Sequence, residues 1–592
     1  MKPPARHWVL LAALGGLGVV ALPAQPALRE AAQEPAIELP TYTVTDSREL
    51  PPPEKWLYGR IEGFEILSNA SEKSTQGLVR NLQRFAFALD LVWPISHRQS
   101  TVPVSLIICG RGGKFDVFKP AERTEADLAM ASIQLRSREV AAIVVDAEAR
   151  VINLVTPDSL TAGVDDPGME VDAYQQLNRE YVHFLLNGAQ PPLPPWFVEG
   201  LAQIFMKMDV TRTTITVGKI EDPNMVSAEE AMSGGEFKGP EWDRDFNGAL
   251  KGRRLLPMAE MFAMPADAPE ARNAIGSTWA KQCYAFVHWC LYGDNNRHQK
   301  AFVTFVTRLG REPLTEQLFK ECFNLDYRQM GIAIRGYIDF TAYKSPQFRA
   351  KKGQQIPEPP PFELREATQA EIGRITGDAL HLAGHDAAAH LAMIAPYIRG
   401  ERDPQLLAAL GLQEHAMGDD GRARKFLEAA ARAKAVRATA YLELARLRLA
   451  EAAAQPGAPD GRLSEKQTAA VLGPLFTARS EPPALPEVYD TVAEVWDRTA
   501  ATPTPENLAV LDEGVRHFPL DATLVYRDAA LKTKIGLTAQ AAALVDHGLR
   551  LAPDPATRGK FEALRAKLPP PAPPVLPAAP ATPPAPDVRL PR

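Results

Sequence analysis

Glu180 and His183 lie three residues apart, and Glu199 follows from the next apolar segment. On a helix that spacing brings a carboxylate and an imidazole to one face. The chemistry this suits is hydrolysis by a metal-activated water. In a His-Glu-x-x-His helix, two imidazoles four apart hold one zinc ion, and the glutamate between them polarises the bound water. The segment here reads Arg179-Glu180-Tyr181-Val182-His183, then Trp196-Phe197-Val198-Glu199-Gly200-Leu201. Arg179 stands where the first imidazole belongs. A guanidinium has no lone pair to give and stays protonated at any relevant pH. It would set a positive charge beside the ion, with two protein ligands left where catalytic zinc takes three.

Without an ion, Glu180 and Glu199 would be two close, uncompensated carboxylates. An arginine fork can bridge carboxylates. Arg179 is therefore expected to replace the ion structurally, pairing chiefly with Glu199. The competing structural reading makes 179–199 two packed helices with incidental charges. Other chemistry is thin. His288, in Ala285-Phe-Val-His288-Trp289, reads as a hydrogen-bonded core histidine, and His97 and His298 as loop residues. Gly110-Arg-Gly-Gly-Lys114 lacks the spacing and the Ser/Thr of a phosphate loop and reads as a strand-to-helix turn. No Gly-x-Ser-x-Gly elbow occurs. The carboxylates between Asp146 and Asp166 lack calcium-loop spacing.

The elements that must position Arg179, Glu180, His183 and Glu199 follow from periodicity. Ile61 to Leu67 reads as a strand, Ser74 to Leu91 as a helix with Leu78, Leu82, Phe85 and Leu89 on one stripe, and Val102 to Cys109 and Val140 to Val145 as apolar strands. Arg150 to Val155 is a further strand candidate. Tyr174 to Leu186 is the first motif helix. Pro194-Pro195 opens the second, from Trp196 to about Met208. Thr211 to Val217 alternates as a strand, and Ser277 to Tyr343 is largely helical. The cleft between the motif helices would hold an extended peptide against the strand near 140–145 by edge addition.

At 592 residues the chain exceeds one core. Its 45% hydrophobic and 23% charged content is that of globular protein, and a net charge of −6 without basic runs argues against nucleic acid. Lys2 and Arg6 precede the apolar run Trp8 to Leu22, with small residues to Ala24, so 1–24 reads as an export signal. The alternative is an uncleaved anchor, which would be the chain's one membrane contact. No Cys follows the run to carry a lipid. Cys283 and Cys290, seven apart on a helix, are about 10 Å apart along its axis and cannot bond each other. Cys109, Cys283, Cys290 and Cys322 match no zinc-knuckle pattern and read as buried small hydrophobes, although export would permit disulfides.

Residues 25–55 form an extended lead-in, 56–344 a globular domain, and 345–365 a proline-rich linker. The helical stretch 366–567 then carries an internal repeat. Leu511-Asp-Glu-Gly514-Val-Arg-His-Phe-Pro519 recurs 34 residues later as Val545-Asp-His-Gly548-Leu-Arg-Leu-Ala-Pro553. That period is the tetratricopeptide period, and Leu410-Gly411, Ala423, Leu427 and Ala430 mark another unit. Gln455 to Pro483 interrupts the array, and 568–592 is a Pro/Ala-rich tail expected to be disordered.

The order of elements from about residue 56 to 343 resembles the gluzincin-like metallopeptidases, the H-E-x-x-H…E class, and especially bacterial exported members joined to tetratricopeptide repeats. The resemblance implies an α+β peptidase-like domain followed by an α-helical repeat domain. It implies Glu180 as general base, with His183 and Glu199 as zinc ligands, and it breaks at Arg179. The expected protein is thus exported and peptidase-like with a degenerate site, without a cofactor, acting by binding polypeptide or scaffolding an assembly. Two alternatives stand beside it. One is an active zinc peptidase with atypical ligation. The other is a repeat-based interaction protein whose N-terminal domain is only structural.

Overall fold

The structure is a computed structural model that describes residues 37–42, 50–93, 104–121 except 111 and 113, 131–149, 151–152, 169–170, 172–187, 189, 193–220, 245–250, 252–272, 277–310, 312–340, 345–458, 460–552 and 554–569. The export signal at 1–24, His97, most of the acidic stretch to Asp166 and the tail beyond 569 lie outside the described residues. All the elements of the fold belong to the compact unit that begins at Leu39.

Strands β1 (Leu57–Ile61) and β2 (Phe64–Ser68) form a hairpin turned at Gly63, whose φ is +77°. The single strand read over Ile61 to Leu67 is therefore two, because a left-handed glycine reverses the chain inside it. Helix α1 (Glu72–Val92) starts at Ser71, whose Oγ accepts the Ser74 amide. Strands β3 (Val104–Cys109), β4 (Ser132–Arg136) and β5 (Ala141–Asp146) follow. Short strands β6 (Val151–Ile152) and β7 (Met169–Glu170) pair with each other, leaving two described residues of the longer strand read over Arg150 to Val155. The motif helices are α2 (Ala173–Asn187) and α3 (Pro195–Met206). Of the strand read over Thr211 to Val217, Thr214–Thr216 is β9, and it pairs in a hairpin with β8 (Asp209–Val210), which precedes that stretch. Three short helices, Phe246–Leu250, Met258–Ala263 and Pro269–Arg272, lead to α4 (Thr278–Asn296), α5 (Gln299–Leu309), α6 (Glu316–Phe323) and α7 (Tyr327–Phe340).

The stretch 345–365, expected as a linker, instead begins with β10 (Gln347–Arg349) on β9 and ends in β11 (Leu364–Glu366) on β1. The main sheet runs β11-β1-β2-β3-β5-β4, with β2, β3 and β5 parallel and the remaining pairings antiparallel. Both of its faces are covered, which is why β3 and β5 are apolar except at Ser105 and at the terminal Asp146. Ile66, Leu106, Ile108, Ile143 and Val145 meet α1 and α2. Leu67, Ile107, Val144, Ile133 and Leu135 meet the first helix of the C-terminal array through Ile372, Ile375 and Ala379. The repeats are thus part of the sheet's packing.

That array is an all-helical run: α8 (Gln369–Leu382), α9 (Asp386–Ile398), α10 (Pro404–Ala416), α11 (Asp420–Arg432), α12 (Ala438–Ala454), α13 (Glu465–Ser480), α14 (Pro486–Arg498), α15 (Pro505–His517), α16 (Ala522–Lys534), α17 (Thr538–Leu551) and α18 (Pro555–Arg565). The interruption expected over Gln455 to Pro483 is confined to the loop before Ser464. From Glu465 the chain resumes as α13 and contributes Val471, Leu472 and Leu475 to the shared core. The recurring glycines mark close approaches. A Cβ on Gly514 would lie 2.6 Å from the Tyr489 ring, and one on Gly548 2.1 Å from the Phe561 ring. The chain is a mixed α+β fold with an N-terminal sheet and a C-terminal helical repeat region.

Candidate functional site

Helix α2 carries a polar stripe at Gln176, Arg179, Glu180 and His183, the spacing of one helical face. Its other side fills the sheet core through Leu177 and Phe184. Helix α3 is buried from Trp196 to Met206. Trp196 anchors it, meeting the rings of Phe262, Phe286 and Phe305 at centroid distances of 5.0, 5.5 and 5.9 Å. Gly200 lets α4 cross at close range, since a Cβ there would stand 2.4 Å from Val287 Cγ2 and 2.7 Å from the Cys283 carbonyl oxygen. These contacts leave Glu199 only 1% exposed, facing α2.

Arg179 Nη2 donates to Glu199 Oε2 at 2.7 Å, and Arg179 Nη1 to Glu180 Oε1 at 2.8 Å. Ser132 Oγ, from the edge strand β4, donates to Glu180 Oε1 at 3.1 Å, with Gln176 Oε1 3.3 Å away. Gln203 Nε2 reaches Glu199 Oε1 at 2.7 Å. His183 Nε2 lies 2.9 Å from Glu199 Oε2. Arg179 Nε is buried without a hydrogen-bond partner.

Burial alone would raise the Glu199 carboxyl. The Arg179 charge and the hydrogen bonds from His183 and Arg179 outweigh it and hold the group well below the usual carboxylate range. Burial would likewise lower the Arg179 guanidinium, but Glu199 and Glu180 keep it above its ordinary value. An ionised Glu199 only accepts hydrogen bonds, so His183 Nε2 must carry the hydrogen between them. The nitrogen facing Glu199 therefore has no lone pair free for a metal.

These residues do not fit a zinc ion. Both Glu199 oxygens are engaged, His183 Nε2 is a donor, and a guanidinium lies between the two carboxylates. Among the described residues no three His, Cys, Asp or Glu side chains converge in a metal-holding group. No hydrolytic step is derived for this set. What it can do chemically is fix α2 to α3 and to the edge strand.

His288 lies apart from the site. Its Nδ1 is 2.7 Å from the Tyr337 hydroxyl, its Nε2 is 2.9 Å from the Gly218 carbonyl oxygen, and burial pushes its pKa down to about 4. His298 stacks on Trp289 at 3.7 Å between ring centroids. Lys114 pairs with Glu54 at 2.6 Å. The four cysteines are unbonded, with only Cys322 partly exposed. The strand expected to accept a peptide by edge addition, β5, is paired on both sides, so that edge is closed. On that side the sheet ends, among the described residues, at β4. Sequence reading missed Ser132, which lies on a strand too short and too polar to stand out. It also missed Gln203, although its place one turn after Glu199 was a usable signal.

No family model matches the chain, and no curated protein matches it. Among solved structures it is similar to a thermophilic TPR protein of Thermus thermophilus, at 16% identity and a TM-score of 0.24, over 33% of this chain and 99% of that one. The overlap is loose.

Proposed function

We propose that this is a non-catalytic, polypeptide-binding protein, built from a peptidase-like N-terminal domain with Arg179 in the metal position and a helical repeat region that engages protein partners. The observation that carries the reading is the Arg179 fork closed on Glu199 and Glu180 inside the fold. An ion-free arrangement that satisfies both carboxylates leaves no polarised water for Glu180 to activate. Partner binding is supported by the helical hairpins, a form that presents extended surfaces to other chains. Export is part of the proposal and rests on Lys2, Arg6 and the apolar run Trp8 to Leu22.

The test uses the full chain, because α8 covers one face of the sheet and removing 366–567 would strip it. A fluorescently labelled, unfolded polypeptide is incubated with the purified protein in zinc-containing buffer. Anisotropy should rise while the label's length on a gel stays unchanged. Shortening of the label that is lost in Glu180→Gln would overturn the reading.

A further inference from the structure

We propose that the surface formed by α9, α10 and α11 is a recognition site for an extended segment carrying Pro-x-Tyr, filled in cis by the chain's own Leu39-Pro40-Thr41-Tyr42. The proposal rests on the polypeptide-binding reading and gives it a place and a chemistry.

The segment has no strand or helix pairing, and it meets residues more than 350 positions away. The Tyr42 ring stacks on Phe426 at 6.5 Å and meets Tyr397 edge-on at 6.0 Å, and the Arg422 guanidinium lies 5.5 Å from its centroid. The Tyr42 hydroxyl donates to Glu414 Oε1 at 2.7 Å. The Tyr397 hydroxyl donates to the Pro40 carbonyl oxygen at 2.7 Å. Pro40 is buried, Leu39 packs beside Tyr42 on the same apolar cluster, and Thr41 points outward. One ring, one proline and one backbone carbonyl are read, with the intervening side chain ignored. That is how an extended peptide is recognised by alternate anchors.

The receiving side is built for such a guest. Glu414, on α10, is a carboxylate 0% exposed. The repeat's own helices supply His390 Nε2 at 2.9 Å and Arg422 Nε at 3.3 Å, and Glu414 Oε2 makes no hydrogen bond. A buried carboxylate so placed favours a guest that brings a hydroxyl donor. Phenylalanine in place of tyrosine would fill the ring position but remove the hydroxyl, leaving Glu414 Oε1 with His390 Nε2 and the carboxylate one donor poorer. The hold on the guest is one ring, one proline, the Leu39 side chain and two hydrogen bonds, few enough contacts for a segment in trans to compete with it. The tethered copy is at high effective concentration and competes with any such partner.

The test is binding of a labelled synthetic peptide, Ile-Glu-Leu-Pro-Thr-Tyr-Thr-Val, to the full-length protein. Tyr42→Ala should bind it at least about tenfold more tightly than wild type, because the tethered competitor is weakened. The same peptide with Phe for Tyr should bind that variant several-fold more weakly. Equal affinity of wild type and a folded Tyr42→Ala, or no binding to it, overturns the proposal. Hydrogen exchange in the wild-type chain needs no variant. Excess peptide should speed exchange at the Thr41 and Tyr42 amides and leave α10 unchanged, and unaltered exchange overturns the proposal. The peptide's integrity is followed in the same samples. Cleavage sinks the non-catalytic reading and leaves the recognition site standing, whereas an intact but unbound peptide sinks the recognition site alone.

Discussion

Arg179 Nη2 and Glu199 Oε2 meet at 2.7 Å across the α2–α3 interface, and both side chains are almost wholly out of solvent. A buried ion pair is weak evidence for net stabilisation, but removing one partner strands the other. Arg179→Met, which leaves Glu199 and Glu180 without their shared cation, should therefore cost about 3–5 kcal/mol in urea or thermal unfolding. A variant as stable as wild type would show that the pair does not hold the helices together.

Ser132 ties the edge strand to the same network through Glu180. Ser132→Ala should cost about 1 kcal/mol, the worth of one buried hydrogen bond. It should also raise hydrogen exchange at β4 before that at β3. Uniform exchange in both strands would place Ser132 outside the network's mechanical role.

Gly200 sets how closely α3 approaches α4. Gly200→Ala places a methyl against Val287 and the Cys283 carbonyl, and overpacking of this kind costs about 1–3 kcal/mol. Gly331, with open space at its Cβ, is the control: Gly331→Ala should be neutral or slightly stabilising in the same assay. Equal effects at both positions would refute the close crossing.

His288 makes stability depend on pH. Its pKa is pushed down to about 4 in the folded chain, against about 6.5 unfolded. The folded state thus binds fewer protons than the unfolded one between those values. The contribution is fully present above about pH 6.5 and is lost as pH falls towards 4, amounting to about 3 kcal/mol. Glu199, whose pKa is depressed, acts at lower pH, contributing above the ordinary carboxyl range and fading below it. Unfolding free energies from pH 7 to 4 should show the His288 slope in wild type and a flatter one in His288→Asn. Identical slopes would contradict the assignment.

Much of the site was legible because helix geometry alone brings positions 179, 180 and 183 to one face, and Pro194-Pro195 announces the next helix. Ser132 was not legible, since it comes from a five-residue edge strand 48 positions from its partner Glu180. The hairpin at Gly63 was read as one strand because apolar periodicity continued through a turn that only backbone conformation reveals. The repeats were visible through the glycines at 514 and 548, where rings leave no room for a Cβ. Their union with the sheet was hidden, because Ile372, Ile375 and Ala379 look like any repeat's inner face until the strand side chains opposite them are seen.

The central claim is that Arg179 stands where a metal would otherwise be held, and zinc content tests it most directly. Wild type and Arg179→His are purified side by side, dialysed against zinc and measured by inductively coupled plasma mass spectrometry. Wild type is expected to retain far less than one zinc per chain, and Arg179→His to retain about one, with an imidazole now four residues before His183. Stoichiometric zinc in wild type, lost in His183→Ala and in Glu199→Gln, would contradict the account.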